Sequence, residues 1–584
     1  MDKAQRRPFR LHDREPRLLL ESAVLGVLGA LSAQAFLWLL HVSDRFFLGM
    51  MAGYQPPGAE FGPAHEVIGR HGLLLIPAVT TLGGLISGFL VYRFAPEAEG
   101  HGTDTVVDAF HRREGIIRPR VPPLKMLASA ITIGSGGSAG REGPIALIAA
   151  GVGSVYAKLA HRSEEDRRLL LLAGMAAGLS AIFRTPMGTG VFAIEVLYGR
   201  MEFEVGALLY TMLASAVAYT VNGIFVGFQP LFRFPAIPTP RVEDFAAYAA
   251  LGVAAGVVGT ILPMAFYRTR DAFRKLPIPL WTKPAAGGLL LGLLALKLPE
   301  VLGGGYGWIQ LAIDGRLALD LMAVLIFAKI VALALTVSSG GSGGVFAPSL
   351  YVGAMLGGTF AVLLHQPAAV FVVVGMAAVF GAAARVPIAT MLMVTEMAGG
   401  YHLLVPAGLA VMIAYLLQVR LSSRLRYTSL YEGQVATQRD SPAHYLEHIQ
   451  LALNLLGRRN LPMADKLGHL DLLRMLRSRV RFDLPGGREL TMGVVKDGSP
   501  IAGKTVGDLY QELSESDFEV VTIRRREHLI LPHAETVLEG GDRLALITSP
   551  GSREALAKLI APLEEEHAGG VQVEASEASK KGAL

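Results

Sequence analysis

The sequence has no cysteine among its 584 residues, which removes disulfides, thiolate metal sites and cysteine nucleophiles without fixing a compartment. Charge is scarce as well. Asp, Glu, Lys and Arg make up 18% of the chain against 52% hydrophobic residues, and the mean hydropathy is +0.43. A soluble protein of this length does not carry so little charge; the composition describes a polytopic membrane protein. The net charge of +5 is modest and gives no reason to expect a nucleic-acid polymer as partner. No metal-ligand cluster and no nucleophile–base pair is legible, so neither an enzyme nor a cofactor is expected. No leader peptide is legible either, because RRPFRLHDREPR (6–17) is mixed in charge and the apolar run behind it is long enough to span.

What the chain does have is glycine and proline, 67 and 32 of them, placed largely inside apolar runs. That placement signals interrupted membrane helices. Several of the runs, such as 286–296 and 349–364, fall short of the ~20 residues one crossing needs, so broken or re-entrant helices are expected. The expected organisation begins with a cytoplasmic N-terminal segment (1–17) and a transmembrane domain (18–425) of two repeats, about 18–227 and 244–425. A cytoplasmic linker (426–487), a small soluble α/β domain (488–565) and a disordered tail (566–584) follow. RRPFR near the start and the basic stretch 445–485 place both termini in the cytoplasm of a protein in the cell (inner) membrane. Beyond 488, ELTMGVV, FEVVTIRR, HLILP and DRLALITS read as strands, while TVGDLYQEL and SREALAKLI read as helices.

The two halves of the membrane part match each other. GGSAGREGP (136–144) aligns with GGSGGVFAP (340–348), and GMAAGLSAIFRTPMGTGVFAIEV (174–196) aligns with GMAAVFGAAARVPIATMLMVTEM (375–397). Pro186 and Glu195 thereby fall on Pro387 and Glu396 at the same spacing. One glycine-rich match arises by chance; two collinear ones mean a structural repeat. In transporters, Gly/Pro-interrupted segments at matching positions point to the binding site.

The chemistry of each motif follows from its residues. Glycines allow close backbone approach, and Pro144 and Pro348 occupy a first helical turn, where the missing N–H costs nothing. Unpaired N–H groups at the positive helix end then face an anion. Partial charges hold such an ion loosely enough to release it, as a fixed Lys or Arg would not. The copies differ at one place: Arg141-Glu142 in the first stands against Val345-Phe346 in the second. A carboxylate there can take the anion's place when charged and leave it when protonated, which makes Glu142 both gate and proton carrier.

Over about 18–435 these residues resemble the CLC family of chloride channels and chloride/proton exchangers. GREGP (140–144) is similar to the family's gating-glutamate motif, GVFAP (344–348) to its second selectivity motif, and Tyr431 in SLYEG to its ion-coordinating tyrosine. The resemblance implies an all-α membrane fold of two inverted repeats and a homodimer with one anion pathway per subunit. It implies a pathway lined by Val345 and Phe346 through their backbone N–H groups, with Tyr431, His101 and Gly102, and gated by Glu142. Arg141, Gly143, Pro144, Gly344, Ala347 and Pro348 support that site. Two departures stand out. The family's Gly-Ser-Gly-x-Pro reads Gly100-His101-Gly102-Thr103-Asp104, which replaces a serine with a bulkier, titratable group. Val196 stands where exchangers often carry a second, inward-facing glutamate. Residues 488–563 resemble the TrkA-C-like regulatory domain of potassium-transport proteins, through strand order and LPHAETVLEGGDRLALIT (531–548). Such domains dimerise and sometimes bind small ligands.

The implied function is chloride transport, with chloride/proton antiport expected ahead of a passive chloride channel. Fluoride export, from the altered 100–104 motif, and cation transport, from the C-terminal domain, rank lower, because GREGP keeps its proline and no TVGYG-like filter is present. Plainer readings stand beside each residue. Glu142 is also an ordinary helix N-terminal acid, Tyr431 an interfacial aromatic, and His101 a loop histidine. Glu195 and Glu396 read as helix-end acids with a shared structural role, and Lys125 as a snorkelling lysine. A valine cannot carry protons, so Glu195 and His101 are the nearest groups for a route past Val196.

Overall fold

The computed structural model describes residues 14–58, 66–69, 72–234 and 242–444. In the C-terminal part it describes 482–484, 488–495, 499–512, 518–525, 528–530, 532–548 and 560–562. The first residues of the N-terminal segment, the linker stretch 445–481, all but the last residue of the expected helix over 552–560 and the tail 566–584 lie outside the described residues; Ile560 opens a strand. The chain divides into two compact units, Met1–Gln438 and Arg439–Leu584.

The first half of the larger unit runs α1 (Arg14–Asp44), α2 (Ile76–Phe94), α3 (Thr103–Arg112), α4 (Val121–Gly134), α5 (Glu142–Leu159), α6 (Glu164–Phe183), α7 (Pro186–Glu195) and α8 (Leu208–Val226). The second runs α9 (Asp244–Lys275), α10 (Lys283–Ala295), α11 (Tyr306–Ile313), α12 (Leu319–Val337), α13 (Phe346–Leu363), α14 (Ala368–Ala384), α15 (Pro387–Met397) and α16 (Leu404–Ser422). Each helix of the first series has a counterpart in the same order in the second. The repeat therefore extends over the whole unit and not only the two motifs.

Broken helices arise at matching places for a matching reason. Helix α6 ends on Arg184 and α14 on Arg385, both left-handed at φ 60 and 58. The next residue in each case precedes proline and leaves helical geometry, at φ -130 for Thr185 and -127 for Val386, and Pro186 and Pro387 then open α7 and α15. Side-chain hydrogen bonds offset the backbone cost of a left-handed arginine. Arg184 donates to the Gln229 carbonyl at 2.9 Å, and Arg385 donates to Gln418 Oε1 at 3.2 Å and Ser422 Oγ at 2.9 Å.

The halves run in opposite directions, and one exchange of caps shows it. Glu195, at the end of α7, accepts from the amides of Ile388 and Ala389 in the first turn of α15, at 3.1 and 2.7 Å. Glu396, near the end of α15, accepts from Met187 and Gly188 in the first turn of α7, at 3.1 and 2.8 Å. Only antiparallel helices can cap each other in this way, each carboxylate meeting the positive end of its partner. The shared helix-end role suggested by the sequence takes this form.

Seven helices among the described residues are long and apolar enough to cross a membrane: α1 with its extension to Ala52, α2, α8, α9, α12, α13 and α16. Their outward residues, among them Leu20, Trp38, Leu209, Ile224 and Leu416, are exposed large hydrophobics that suit hydrocarbon rather than water. Helices α5 and α14, by contrast, are buried almost throughout.

The smaller unit is α/β. Its antiparallel sheet has β3 (Phe482–Leu484), β4 (Arg488–Val495), β7 (Arg543–Thr548), β5 (Phe518–Arg525) and β6 (His528–Ile530) side by side, with β8 (Ile560–Pro562) pairing to β4. (A small hairpin, β1 Tyr54–Gln55 with β2 Val67–Ile68, belongs to the larger unit.) Helix α17 (Val506–Glu512) packs Val506 and Leu509 into a core with Val495, Ile523, Leu538 and Leu544.

Candidate functional site

The two glycine-rich motifs meet each other. Gly140 and Gly344 exchange backbone hydrogen bonds, both 2.7 Å, which sets the N-termini of α5 and α13 face to face. Glycine is required here, because a Cβ on Gly344 would lie 2.7 Å from the Gly143 nitrogen. Loops from each half brace the junction. Gly343 N donates to the Gly100 carbonyl at 3.1 Å, and Gly303 N donates to the Gly136 carbonyl at 3.2 Å.

Glu142 opens α5 and lies buried at this junction. Its Oε2 faces the amide of Ala347 in the first turn of α13 at 3.4 Å, and its Oε1 accepts from the hydroxyl of Tyr306. The amides of Val345 and Phe346, at the start of α13, have no intrahelical partner. In front of them lies a cavity of about 10 Å³ lined by Thr103, Glu142, Gly143, Leu179, Phe183, Phe192, Val345, Phe346, Met393 and Tyr431. That is room for about one water, so the passage is closed with the carboxylate in place. Phe346 packs tilted against Phe183 and edge-to-face against Phe380, with ring centroids 4.5 and 4.3 Å apart, which makes the constriction aromatic.

Glu142, Gly143, Val345, Phe346 and Tyr431 thus share one cavity, with Pro144, Gly344, Ala347 and Pro348 building the helix starts behind it. His101 and Gly102 do not line this cavity. Gly102, at φ +88, holds the start of α3 against the Gly143 carbonyl. His101 packs its ring on Tyr431 at 5.4 Å, and its Nε2 lies 3.0 Å from Asp104 Oδ2. Asp104 also accepts from the amides of Gly433 at 3.0 Å and Glu432 at 3.3 Å, so the residue replacing the family's proline ties the Tyr431 segment to α3.

One expectation changes in the structure. Lys125 does not snorkel: it is fully buried and donates to the carbonyls of Ala98 at 3.0 Å and Gly100 at 2.6 Å. Lys329, its counterpart in α12, does the same to Val301 and Gly303 at 2.8 and 2.7 Å. Glu195 accepts from the α15 amides, and Val196 beside it is fully buried. Arg141, expected as a supporting residue, lays its guanidinium 4.6 Å over the Tyr306 ring. Tyr306 itself and Thr103 on the cavity are among the site residues that sequence reading missed. The signal was present, since GGGY (303–306) repeats GHGT (100–103) just upstream of each aligned motif.

A helical membrane protein with inverted halves, whose interrupted helix ends converge on a buried site, is a transport protein of the inverted-repeat class. The chain belongs to the voltage gated chloride channel family, the CLC family, whose model matches residues 83–418; residues 491–561 match the TrkA-C domain. The H(+)/Cl(-) exchange transporter ClcA of Salmonella arizonae is 30% identical over 436 residues, covering 72% of this chain and 89% of that protein. ClcA of Salmonella agona is 32% identical over 386 residues, covering 64% and 82%. Among solved structures, a slow cyanobacterial Cl-/H+ antiporter shares the fold at a TM-score of 0.62 with 21% identity, covering 70% of this chain and 96% of that one. A CLC-type fluoride/proton antiporter aligns at 0.61 with 25% identity, covering 73% and 98%.

Proposed function

We propose that this protein exchanges chloride for protons across the cell's inner membrane, with Glu142 as both anion gate and proton carrier. Val345, Phe346 and Tyr431 present the donors that hold chloride, and His101 and Gly102 shape the end of the pathway beyond Tyr431. The protein works as a homodimer with one pathway per subunit and both termini in the cytoplasm. Residues 18–425 carry transport, 426–487 connect, and 488–565 regulate, with a small molecule as the candidate ligand. The exchangers among the relatives support the reading, and one observation carries it: a lone carboxylate lodged between two converging helix N-termini, where an anion would otherwise sit.

Flux in tight proteoliposomes tests it. An imposed chloride gradient should drive uphill proton uptake, and Glu142→Gln should pass chloride with no coupled protons. Chloride flow that drives no proton uptake in the native protein would make it a passive channel. Bromide soaked into crystals should give anomalous density near the amides of Val345 and Phe346; density confined to surface lysines would remove the proposed anion site.

A further inference from the structure

Helix α11 has no assigned part in transport, yet its first residue touches the gate. Tyr306 is delivered by Gly305 at φ +79, just as Thr103 is delivered by Gly102 at φ +88 at the start of α3. The repeat explains the pairing. Thr103 lines the cavity before α13, and Tyr306, in the inverted half, reaches the carboxylate that opens α5. Both residues of the Arg141-Glu142 pair engage it: the guanidinium covers the ring face at 4.6 Å, and Glu142 Oε1 accepts from the phenol. Phe232 packs the ring from another side at 6.2 Å.

We infer that Tyr306 is a positioning residue that latches the gate glutamate in its closed, ionised form. This rests on the reading of Glu142 as the gate. Held by Tyr306 on one oxygen and facing the Ala347 amide on the other, the carboxylate has both oxygens directed to donors. Protonation fills one oxygen with a proton and weakens its acceptance of the phenol, so proton binding and unlatching are one event. The other charged or titratable groups facing this place are Arg141 on the same helix, Tyr431 after α16 and, behind Gly102, Lys125 of α4. None of these donates to Oε1.

Tyr306→Phe keeps the ring for Arg141 and Phe232 and removes only the donor. Chloride flux near pH 7.5 should rise by about tenfold, and the midpoint of acid activation should move about one unit to higher pH, the usual scale for a lost hydrogen bond to a charged group. In a Glu142→Ala background the same substitution should change neither quantity. Site-specific 3-fluorotyrosine at 306, which preserves the shape and strengthens the donor, should move the midpoint the opposite way and serves if the phenylalanine variant folds poorly. A Tyr306→Phe profile that superimposes on the native one, while Glu142→Gln is insensitive to pH, overturns the latch and leaves the gate standing. An effect that persists undiminished in the Glu142→Ala background also overturns it. Native pH dependence in Glu142→Gln overturns the gate and the latch together.

Discussion

His101 places an imidazole where chloride-transporting relatives of the resembled pattern carry a serine, and the structure shows how it is held. Nε2 meets Asp104, the ring lies on Tyr431 and Phe266, and Nδ1 is buried with no partner. A buried ring nitrogen with no partner beside Tyr431 is free to meet an ion or a water in the pathway. Chloride binding to the purified protein, measured by calorimetry, should therefore change several-fold in His101→Ser, since Asp104 stays anchored by the Glu432 and Gly433 amides. An unchanged affinity in the serine variant would place His101 outside the anion's reach.

At the level of elements, the reciprocal caps between α7 and α15 are the clearest stabilising device. Glu195 is fully buried and bonded to two amides, so Glu195→Gln leaves an NH2 facing an N–H and should cost about 1–3 kcal/mol. Glu396 is less enclosed, and its Met187 bond is exposed, so the same change there should cost less. Thermal unfolding in detergent should rank the variants in that order while ion selectivity is unchanged. A capping box sets the start of α17 in the smaller unit: Thr505 N donates to Asp508 Oδ2 at 2.9 Å, and Asp508 N donates to Thr505 Oγ1 at 3.1 Å. The Thr505 amide holds the Asp508 carboxyl below its ordinary range. With the folded-state value depressed, the stabilisation is present at neutral pH and is lost as pH falls through that lowered value. Hydrogen exchange across α17 should separate Asp508→Asn from the native protein at pH 7 and should not separate them in strong acid.

At the level of the whole molecule, the division at Gln438 separates an anion pathway from an α/β module with its own core. Every residue lining the cavity lies in the first unit. Removing the chain after Gly487 should leave the chloride-to-nitrate preference intact while altering rate or regulation, because a domain of this kind folds by itself. A changed preference in vesicle flux would mean that the module shapes the pathway.

The sequence by itself determined a good deal. Composition decided the membrane, the two aligned motifs decided the repeat, and Glu142 was legible as the single acid inside either motif. Glycine and proline spacing is local information, so interrupted helices could be expected, and the breaks fall before Pro186 and Pro387. Partners distant in the chain could not. That Glu195 caps α15, that Lys125 and Lys329 bind carbonyls instead of reaching for water, and that Tyr306 holds Glu142 depend on which helix starts meet after the halves invert. An acid or a lysine in an apolar run announces only that it needs a partner, because burying it unpaired is costly. Which partner it finds was decided by the tertiary structure.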